Sequence, residues 1–230
     1  MKIVNTLLGK DDRFIDYHSF ECPVHCEIVA DLVKFKQDAA TNGVTLSLAS
    51  GYRSFGRQLA IWNAKASGLK PVYDSDGKPL DIKRLSKVDL MFSILRWSAL
   101  PGTSRHHWGT DVDIYDASAM PPGYQLQLSS EEAQRGGVFE HLYEWLEAYL
   151  LLQASIFYRP YNEDLGGVAP EPWHLSYMPV AESYKDLLNI EDLIESIKHE
   201  NILLKDEVLA NIDFIFENYV NNVCLPNWSA

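Results

Sequence analysis

Residues 104–113 read SRHHWGTDVD, and the rest of the chain can be placed around this stretch. Gly109 predicts a turn, and the residues that follow, 110–115, predict a strand. Side chains alternate along such a strand: Asp111, Asp113 and Tyr115 share one face, and Val112 and Ile114 share the other. We expect the apolar pair to enter a hydrophobic core and the carboxylates to face a cleft.

Three side chains in two separate segments form a candidate metal site. His106 precedes Asp113 by too many residues for one helical turn, but a turn that leads into a strand can bring the two together. A second segment, EPWH at residues 171–174, supplies His174. Two imidazoles and one carboxylate leave a fourth tetrahedral position open for water, which is the arrangement of catalytic Zn²⁺.

These residues resemble a known family. The pattern Ser-x-His-x-x-Gly-x-x-x-Asp followed by Glu-x-Trp-His is that of the zinc D-alanyl-D-alanine carboxypeptidases and dipeptidases of the VanY/VanX type, the peptidase M15 family. The resemblance includes SGYRSFGRQ at residues 50–58, where the family has Tyr-Arg-Ser and then Gln. The three blocks occur in the family's order across roughly residues 25–180.

Four further residues are candidates for catalysis and substrate binding. Glu171 is a candidate general base, because Pro172 favours an extended or turn conformation that lets the carboxylate project towards the water. The resemblance assigns Glu171 the same role and implies that Arg53 stabilises the oxyanion. It also implies that Gln58 and Ser104 contact the substrate, although a Gln on a helix surface and a Ser that caps a loop are common alternatives.

The chain departs from the family pattern at Asp111, where relatives usually have a small residue. This extra carboxylate has three alternative roles: orienting a metal ligand, receiving a substrate ammonium group, or bonding to a loop. His107, next to the candidate ligand, is predicted to have a supporting or structural role.

Composition restricts the partners and the compartment. The 230 residues carry a net charge of −12 and are 47% hydrophobic, which is enough apolar material for a packed core. An acidic chain disfavours nucleic acid and acidic membrane surfaces. We find no signal peptide and no transmembrane stretch, so the cytoplasm is favoured over the periplasm. Three cysteines, an odd number, predict no disulfide framework.

The resemblance, more than the pattern of the sequence, implies an α+β fold with a small, mostly antiparallel sheet and flanking helices. Apolar periodicity after residue 181 predicts a C-terminal helical extension. Helices are predicted at residues 23–42, from Ser54, and at 84–100, 130–153, 184–199 and 203–223; strands are predicted at 44–49, 110–115, 156–161 and 173–177. We predict a zinc carboxypeptidase-like catalytic domain at 1–180 and a helical extension at 181–230 that packs on it.

The function predicted from these features is zinc-dependent hydrolysis of D-Ala-containing cell-wall peptides, by a D-alanyl-D-alanine carboxypeptidase or dipeptidase. The partner is then a small peptide from peptidoglycan. Two alternatives remain open: an L,D-carboxypeptidase or peptidoglycan endopeptidase on the same scaffold, and a zinc-bearing binding domain without catalysis. Retention of both Glu171 and Arg53 favours an enzyme.

Overall fold

The computed structural model describes residues 3–152 and 155–226 and has the predicted α+β architecture. The strands are β1 (Ile15–Asp16), β2 (Val24–His25), β3 (Leu46–Ser50), β4 (Asp111–Asp116), β5 (Phe157–Tyr158) and β6 (His174–Tyr177). The α-helices are α1 (Val4–Leu7), α2 (Val29–Thr41), α3 (Phe55–Ala66), α4 (Lys87–Trp97), α5 (Ser130–Ala133), α6 (Glu140–Leu150), α7 (Met178–Leu187), α8 (Ile190–His199), α9 (Lys205–Ala210) and α10 (Ile212–Ile215). Short 3₁₀ helices lie at Cys26–Ile28, Ile82–Arg84 and Arg105–Trp108, and a π-helical segment at Phe216–Asn221.

The main sheet is antiparallel and has the order β3-β4-β6-β5. Strand β4 is central, and its register pairs Asp113 with His174 of β6. Val112 and Ile114, on the opposite face of β4, are fully buried, as the alternation predicts. The pairing therefore places two of the three predicted metal ligands side by side, although they are far apart in the sequence.

Aromatic side chains join two helices to one end of the sheet. Phe35 of α2 is fully buried and lies with its ring centroid 4.9 Å from Phe157 of β5 and 5.2 Å from Trp145 of α6. Because α2 is distant in the chain from α6 and β5, their contact builds the core across the molecule. Burial of each large aromatic side chain contributes on the order of 2 kcal/mol or more to stability.

Several predicted boundaries were wrong. The helix predicted at 23–42 begins only at Val29 as an α-helix, because Val24–His25 pairs with β1 and a 3₁₀ turn follows. The helix predicted at 130–153 is two helices, α5 and α6, separated by a break that contains Gly136 and Gly137; its last predicted residue, Gln153, lies outside the described residues. Gly136 has φ +83°, a conformation that ends a helix and that glycine adopts without strain.

The C-terminal region was predicted as two helices but forms four short α-helices and a π-helical segment, because the backbone is extended at Leu188 and Asn189 and leaves the helical conformation again at Asn211. Buried apolar residues from this region, including Leu193, Ile197 and Ile215, belong to the same hydrophobic cluster as the sheet. Residues from 178 to 226 thus share one core with the rest of the described chain. None of the helices in the described ranges has the length and apolar character needed to cross a membrane.

Candidate metal centre and catalytic cavity

His106, Asp113 and His174 converge as predicted, and each offers one ligand atom within 4.8 Å of the others. His106 Nε2 lies 3.4 Å from Asp113 Oδ2, and His174 Nδ1 lies 3.4 Å from Asp113 Oδ1. All three side chains are buried. His106 comes from the 3₁₀ helix before β4, Asp113 from β4 and His174 from the start of β6, so the sheet and one tight turn hold the whole set.

Hydrogen bonds on the far side of each imidazole determine which nitrogen is left for a metal. His106 Nδ1 lies 3.0 Å from the carbonyl oxygen of Gly51, which can only accept, so Nδ1 carries the proton and Nε2 keeps its lone pair. His174 Nε2 lies 3.0 Å from Asp111 Oδ1, so its Nδ1 keeps the lone pair. His174 Nδ1 and Asp113 Oδ1 are buried without hydrogen-bond partners. Buried polar atoms without partners are rare, and these two fit the ligand set of Zn²⁺.

The electrostatics of the cluster favour bound positive charge. Burial alone would raise the pKa of Asp113, but the neighbouring imidazoles of His106 and His174 outweigh it and hold this pKa well below its usual range. Burial alone would lower the pKa of His174, but the neighbouring carboxylates of Asp111, Asp113 and Glu171 hold it well above its usual value. A divalent cation in this position would take the place of the imidazole proton.

Glu171 lies next to the ligand set, at the edge of a cavity of about 260 Å³. Its Oε2 atom is 3.3 Å from His174 Nδ1, and its side chain is 18% exposed, so the carboxylate reaches both the cluster and solvent. The backbone N–H of Glu171 donates to the carbonyl of Tyr161 at 2.9 Å, which fixes the loop before β6. The cavity is also lined by Arg53, Ser104 and the three ligand residues.

Gln58 does not line this cavity, in contrast to the prediction for it. It is fully buried on α3, where its Oε1 accepts a hydrogen bond from Arg53 Nη1 at 3.0 Å and its Nε2 donates to the carbonyl of Ala99 at 2.7 Å. Arg53 Nη2 donates to Ser50 Oγ at 3.1 Å. Gln58 therefore contacts Arg53, whereas the sequence pattern suggested a contact with substrate.

Asp111 and His107 lie behind the ligands. Thr110 Oγ1 donates to Asp111 Oδ2 at 2.7 Å, and Asp111 Oδ1 accepts from Arg105 and from His174. The predicted role of Asp111 as a receptor for a substrate ammonium group is therefore wrong, because its carboxylate is fully buried and occupied. His107 has the predicted structural role: its Nε2 accepts from the backbone N–H of Gly102, and burial lowers its pKa to about 3.

Two basic residues near the cavity were missed at the sequence level. Arg105 occupies a variable position of the motif, but it lines the cavity and forms a buried salt bridge with Asp111 at 2.7 Å. The extra carboxylate at Asp111 was a signal that a buried cation lies nearby, because buried charges are paired.

Lys65 Nζ donates to Ser98 Oγ at 2.5 Å, and burial lowers the pKa of Lys65 to about 8. Only the packing of α3 against the segment after α4 reveals it.

Comparisons with known proteins agree with this fold. The structure of VanYB in complex with D-Ala-D-Ala aligns with a TM-score of 0.50 and 23% sequence identity, covering 79% of this chain and 87% of that chain; the two share a fold. The family model VanY, described as D-alanyl-D-alanine carboxypeptidase, matches residues 22–180. This chain belongs to the VanY D-alanyl-D-alanine carboxypeptidase family, a family of peptidases that act on peptidoglycan.

Individual relatives match different parts of the chain. An uncharacterized protein of Haemophilus influenzae is 38% identical over 123 residues, which cover 53% of this chain and 92% of that protein. A D-alanyl-D-alanine carboxypeptidase of Enterococcus faecalis is 26% identical over 148 residues, covering 64% of this chain and 45% of that enzyme. The match with the carboxypeptidase therefore extends over less than half of its length.

Proposed function

We propose that this chain is a zinc-dependent carboxypeptidase or dipeptidase that hydrolyses D-Ala-containing peptides of the cell wall. The observation that carries this proposal is the convergence of His106, Asp113 and His174, with two buried atoms free of hydrogen bonds, beside the Glu171 carboxylate. Family membership supports peptidase activity, and the cavity has room for the end of a small peptide.

His106 Nε2, Asp113 and His174 Nδ1 would hold the metal. When bound, zinc supplies a Lewis acid that polarises the scissile carbonyl and lowers the pKa of water to about 7. Glu171 takes a proton from the attacking water and later delivers it to the leaving amine. Arg53 donates to the carbonyl oxygen as negative charge develops on it, and its contacts with Gln58 and Ser50 fix the planar guanidinium before substrate binds.

The test uses four peptides and measures released amino acid by chromatography. The zinc-loaded protein is incubated with D-Ala-D-Ala, with an acylated peptide ending in D-Ala-D-Ala, with a tetrapeptide ending in D-Ala after an L-centre, and with a cross-linked muropeptide. Release of D-Ala from either of the first two substrates is the expected result. Cleavage of the third alone identifies an L,D-carboxypeptidase, and cleavage of the fourth alone an endopeptidase.

The metal assignment is tested separately by elemental analysis. We expect one zinc per chain in the wild type and a large loss of zinc in His174→Ala. Stoichiometric zinc that is unchanged in His174→Ala would contradict the ligand set. Zinc binding without cleavage of any of the four peptides would instead favour the non-catalytic binding domain.

A further inference from the structure

Asp111 is a buried carboxylate in contact with a candidate metal ligand. It is fully buried, and its two oxygens accept hydrogen bonds from three side chains: Arg105, Thr110 and His174. These contacts occupy both oxygens of the carboxylate. Its effect on the site must therefore pass through its neighbours.

The neighbour that matters for the metal is His174. A neutral imidazole has one N–H, and the position of that proton decides which nitrogen can bind a metal. His174 Nε2 lies 3.0 Å from Asp111 Oδ1, whereas Nδ1 lies 3.4 Å from Asp113 Oδ1 without a hydrogen bond. Asp111 therefore holds the proton at Nε2 and turns Nδ1 towards the ligand set. Carboxylates behind metal-binding imidazoles commonly orient the ring in this way.

Arg105 makes it possible for this carboxylate to be buried. Its Nε donates to Asp111 Oδ1 at 2.7 Å, and its Nη2 donates to Ser176 Oγ at 2.7 Å and to Tyr158 OH at 2.9 Å. Its guanidinium carbon also lies 4.7 Å from the Trp108 ring centroid. An unpaired carboxylate in this place would be a second anion close to Asp113. The salt bridge offsets that charge and keeps Asp111 behind the ring.

The imidazole of His106 is oriented by backbone carbonyl groups, so it serves as an internal comparison for His174. His106 Nδ1 faces two backbone carbonyls, those of Gly51 at 3.0 Å and Asp111 at 3.1 Å. Backbone geometry orients His106, and no side chain is needed for it. His174 instead depends on a side chain that is itself held by a buried arginine.

We propose that Asp111, held by Arg105, is a positioning residue that fixes the ring and the tautomer of His174 so that Nδ1 is available to the metal. This inference rests on the proposed function, since it assumes the same ligand set. It predicts that Asp111 contributes to zinc affinity through geometry, independently of any effect on peptide hydrolysis.

Zinc affinity, measured by competition with a chromogenic chelator, is the first test. Asp111→Ala removes the acceptor, and we expect about 10- to 100-fold weaker zinc binding, the usual effect of losing such a partner. Asp111→Asn keeps an oxygen for His174, so its affinity should fall by only a few fold. The matched control is Asp116→Asn, on the same strand: Asp116 is buried but accepts from Thr45 and Ser118, not from a ligand. Its zinc affinity should equal that of the wild type.

A double variant separates positioning from stability, because Asp111→Ala leaves Arg105 buried without its counter-ion. Arg105→Met combined with Asp111→Ala removes both charges, and its melting temperature should recover towards the wild type. Its zinc affinity should stay as weak as that of Asp111→Ala. Recovery of zinc affinity together with stability would overturn the proposal, because the loss would then come from the unpaired charge.

Nitrogen-15 NMR of the imidazoles in the zinc-loaded protein is the second test. We expect His174 to bind zinc through Nδ1 with Nε2 protonated, and His106 to show the opposite arrangement. Zinc bound through Nε2 of His174, or equal zinc affinity in wild type and Asp111→Ala, would refute the role of Asp111 alone. Failure of the wild type to bind zinc would instead refute the proposed function.

Discussion

Arg53 is partly buried, and within the described residues its guanidinium donates side-chain hydrogen bonds to neutral groups, Gln58 Oε1 and Ser50 Oγ. Burial lowers the pKa of Arg53, while the charges of Asp113 and Glu171 counteract that effect. A guanidinium forms its strongest hydrogen bonds with a carboxylate or oxyanion that can accept from its donors. The Arg53 site is therefore suited to the negative charge that develops on the scissile carbonyl.

Arg53→Lys is expected to lower kcat by about 100- to 1,000-fold, the usual effect of losing one oxyanion donor. Lysine keeps the charge but lacks the planar fork held by Gln58 and Ser50. Steady-state kinetics with the best substrate of the panel measures the effect. Arg57→Lys, an exposed change on the same helix, is the control and should behave like the wild type. A decrease of only a few fold in Arg53→Lys would remove Arg53 from the mechanism.

Glu171→Gln should keep zinc and lose about 100- to 10,000-fold in kcat, because a general base contributes that much. Glutamine has nearly the same shape but cannot take the proton. Zinc content and kcat, measured on the same sample, separate the two effects. Loss of zinc in this variant would make Glu171 a ligand, and full activity would make it a bystander.

The charge of Lys65 should cost folding stability at neutral pH. Its folded pKa of about 8 lies below the ordinary 10.5, so between these values the unfolded chain binds the proton more tightly and stability rises with pH. Below pH 8 the full cost is present. Lys65→Met should therefore be more stable than the wild type at pH 7, by a margin that shrinks as the pH approaches 10. Urea unfolding at several pH values measures this, and exposed Lys70→Met is the control. A margin that is independent of pH would contradict the prediction.

At the scale of elements, one turn connects the 3₁₀ helix that carries His106 to strand β4. Gly109 has φ +69°, and its carbonyl accepts from the backbone N–H of His25 at 2.8 Å. A Cβ at this position would lie 2.8 Å from that same nitrogen atom. The turn therefore requires glycine both for its backbone angle and for the close approach of β2.

Gly109→Ala should destabilise the fold by more than about 1 kcal/mol, from backbone strain and the clash together, and should weaken zinc binding. Urea unfolding and chelator competition measure the two effects. Gly123→Ala is the matched control: Gly123 has φ +78° but nothing within 4 Å of the added Cβ. It should show the strain alone and normal zinc affinity. Equal effects in the two variants would show that the contact with β2 is unimportant.

The elements also show where local pattern was sufficient. Ser54 and Ser86 accept hydrogen bonds from backbone N–H groups at the starts of α3 and α4, as N-cap residues do. The cap at Ser54 was predicted, whereas the start of α4 was placed too early. The strand at Val24–His25 was missed because its two residues are too few for a periodic signal.

At the scale of the whole molecule, the C-terminal region completes the core of the family-matched part. Trp62 Nε1 donates to the carbonyl of Leu203 at 2.9 Å, and Leu193 and Ile215 are fully buried. A Cβ on Gly167, in the loop between β5 and β6, would lie 2.0 Å from the carbonyl oxygen of Asn218. The loop that leads to Glu171 is thus packed directly against the π-helical segment at Phe216–Asn221.

A chain that ends at residue 180 should fail to fold cooperatively, although it contains every predicted site residue. Removal of the C-terminal helices exposes apolar side chains that each contribute roughly 1.5–3 kcal/mol when buried. Their sum exceeds the typical net free energy of unfolding. Thermal unfolding followed by near-ultraviolet circular dichroism compares it with residues 1–226. A cooperative transition and normal zinc binding in the shorter chain would show that the C-terminal helices are an independent addition.

From the sequence alone came the inward face of β4, the α+β class and the predicted metal-binding set. The face of β4 follows from alternation along a strand, a local rule. The fold class and the set of His106, Asp113 and His174 also needed the resemblance of ordered sequence blocks to a family. In any fold, the hydrophobic effect places the apolar face of a strand or helix in the core, so these local patterns are informative without knowledge of the packing.

Only the tertiary structure decided the surroundings of that set. The direction of the Asp111 carboxylate depends on Arg105, and Arg105 in turn donates to Ser176 on another strand. Gln58 turned out to hold Arg53, because α3 packs against Ala99 in a segment 41 residues away. Side-chain contacts of this kind depend on how distant elements pack, and periodicity along the chain carries no information about that packing. The ligand set could therefore be predicted from sequence, with the orienting role of Asp111 as one of three alternatives, whereas the part played by Arg105 could not.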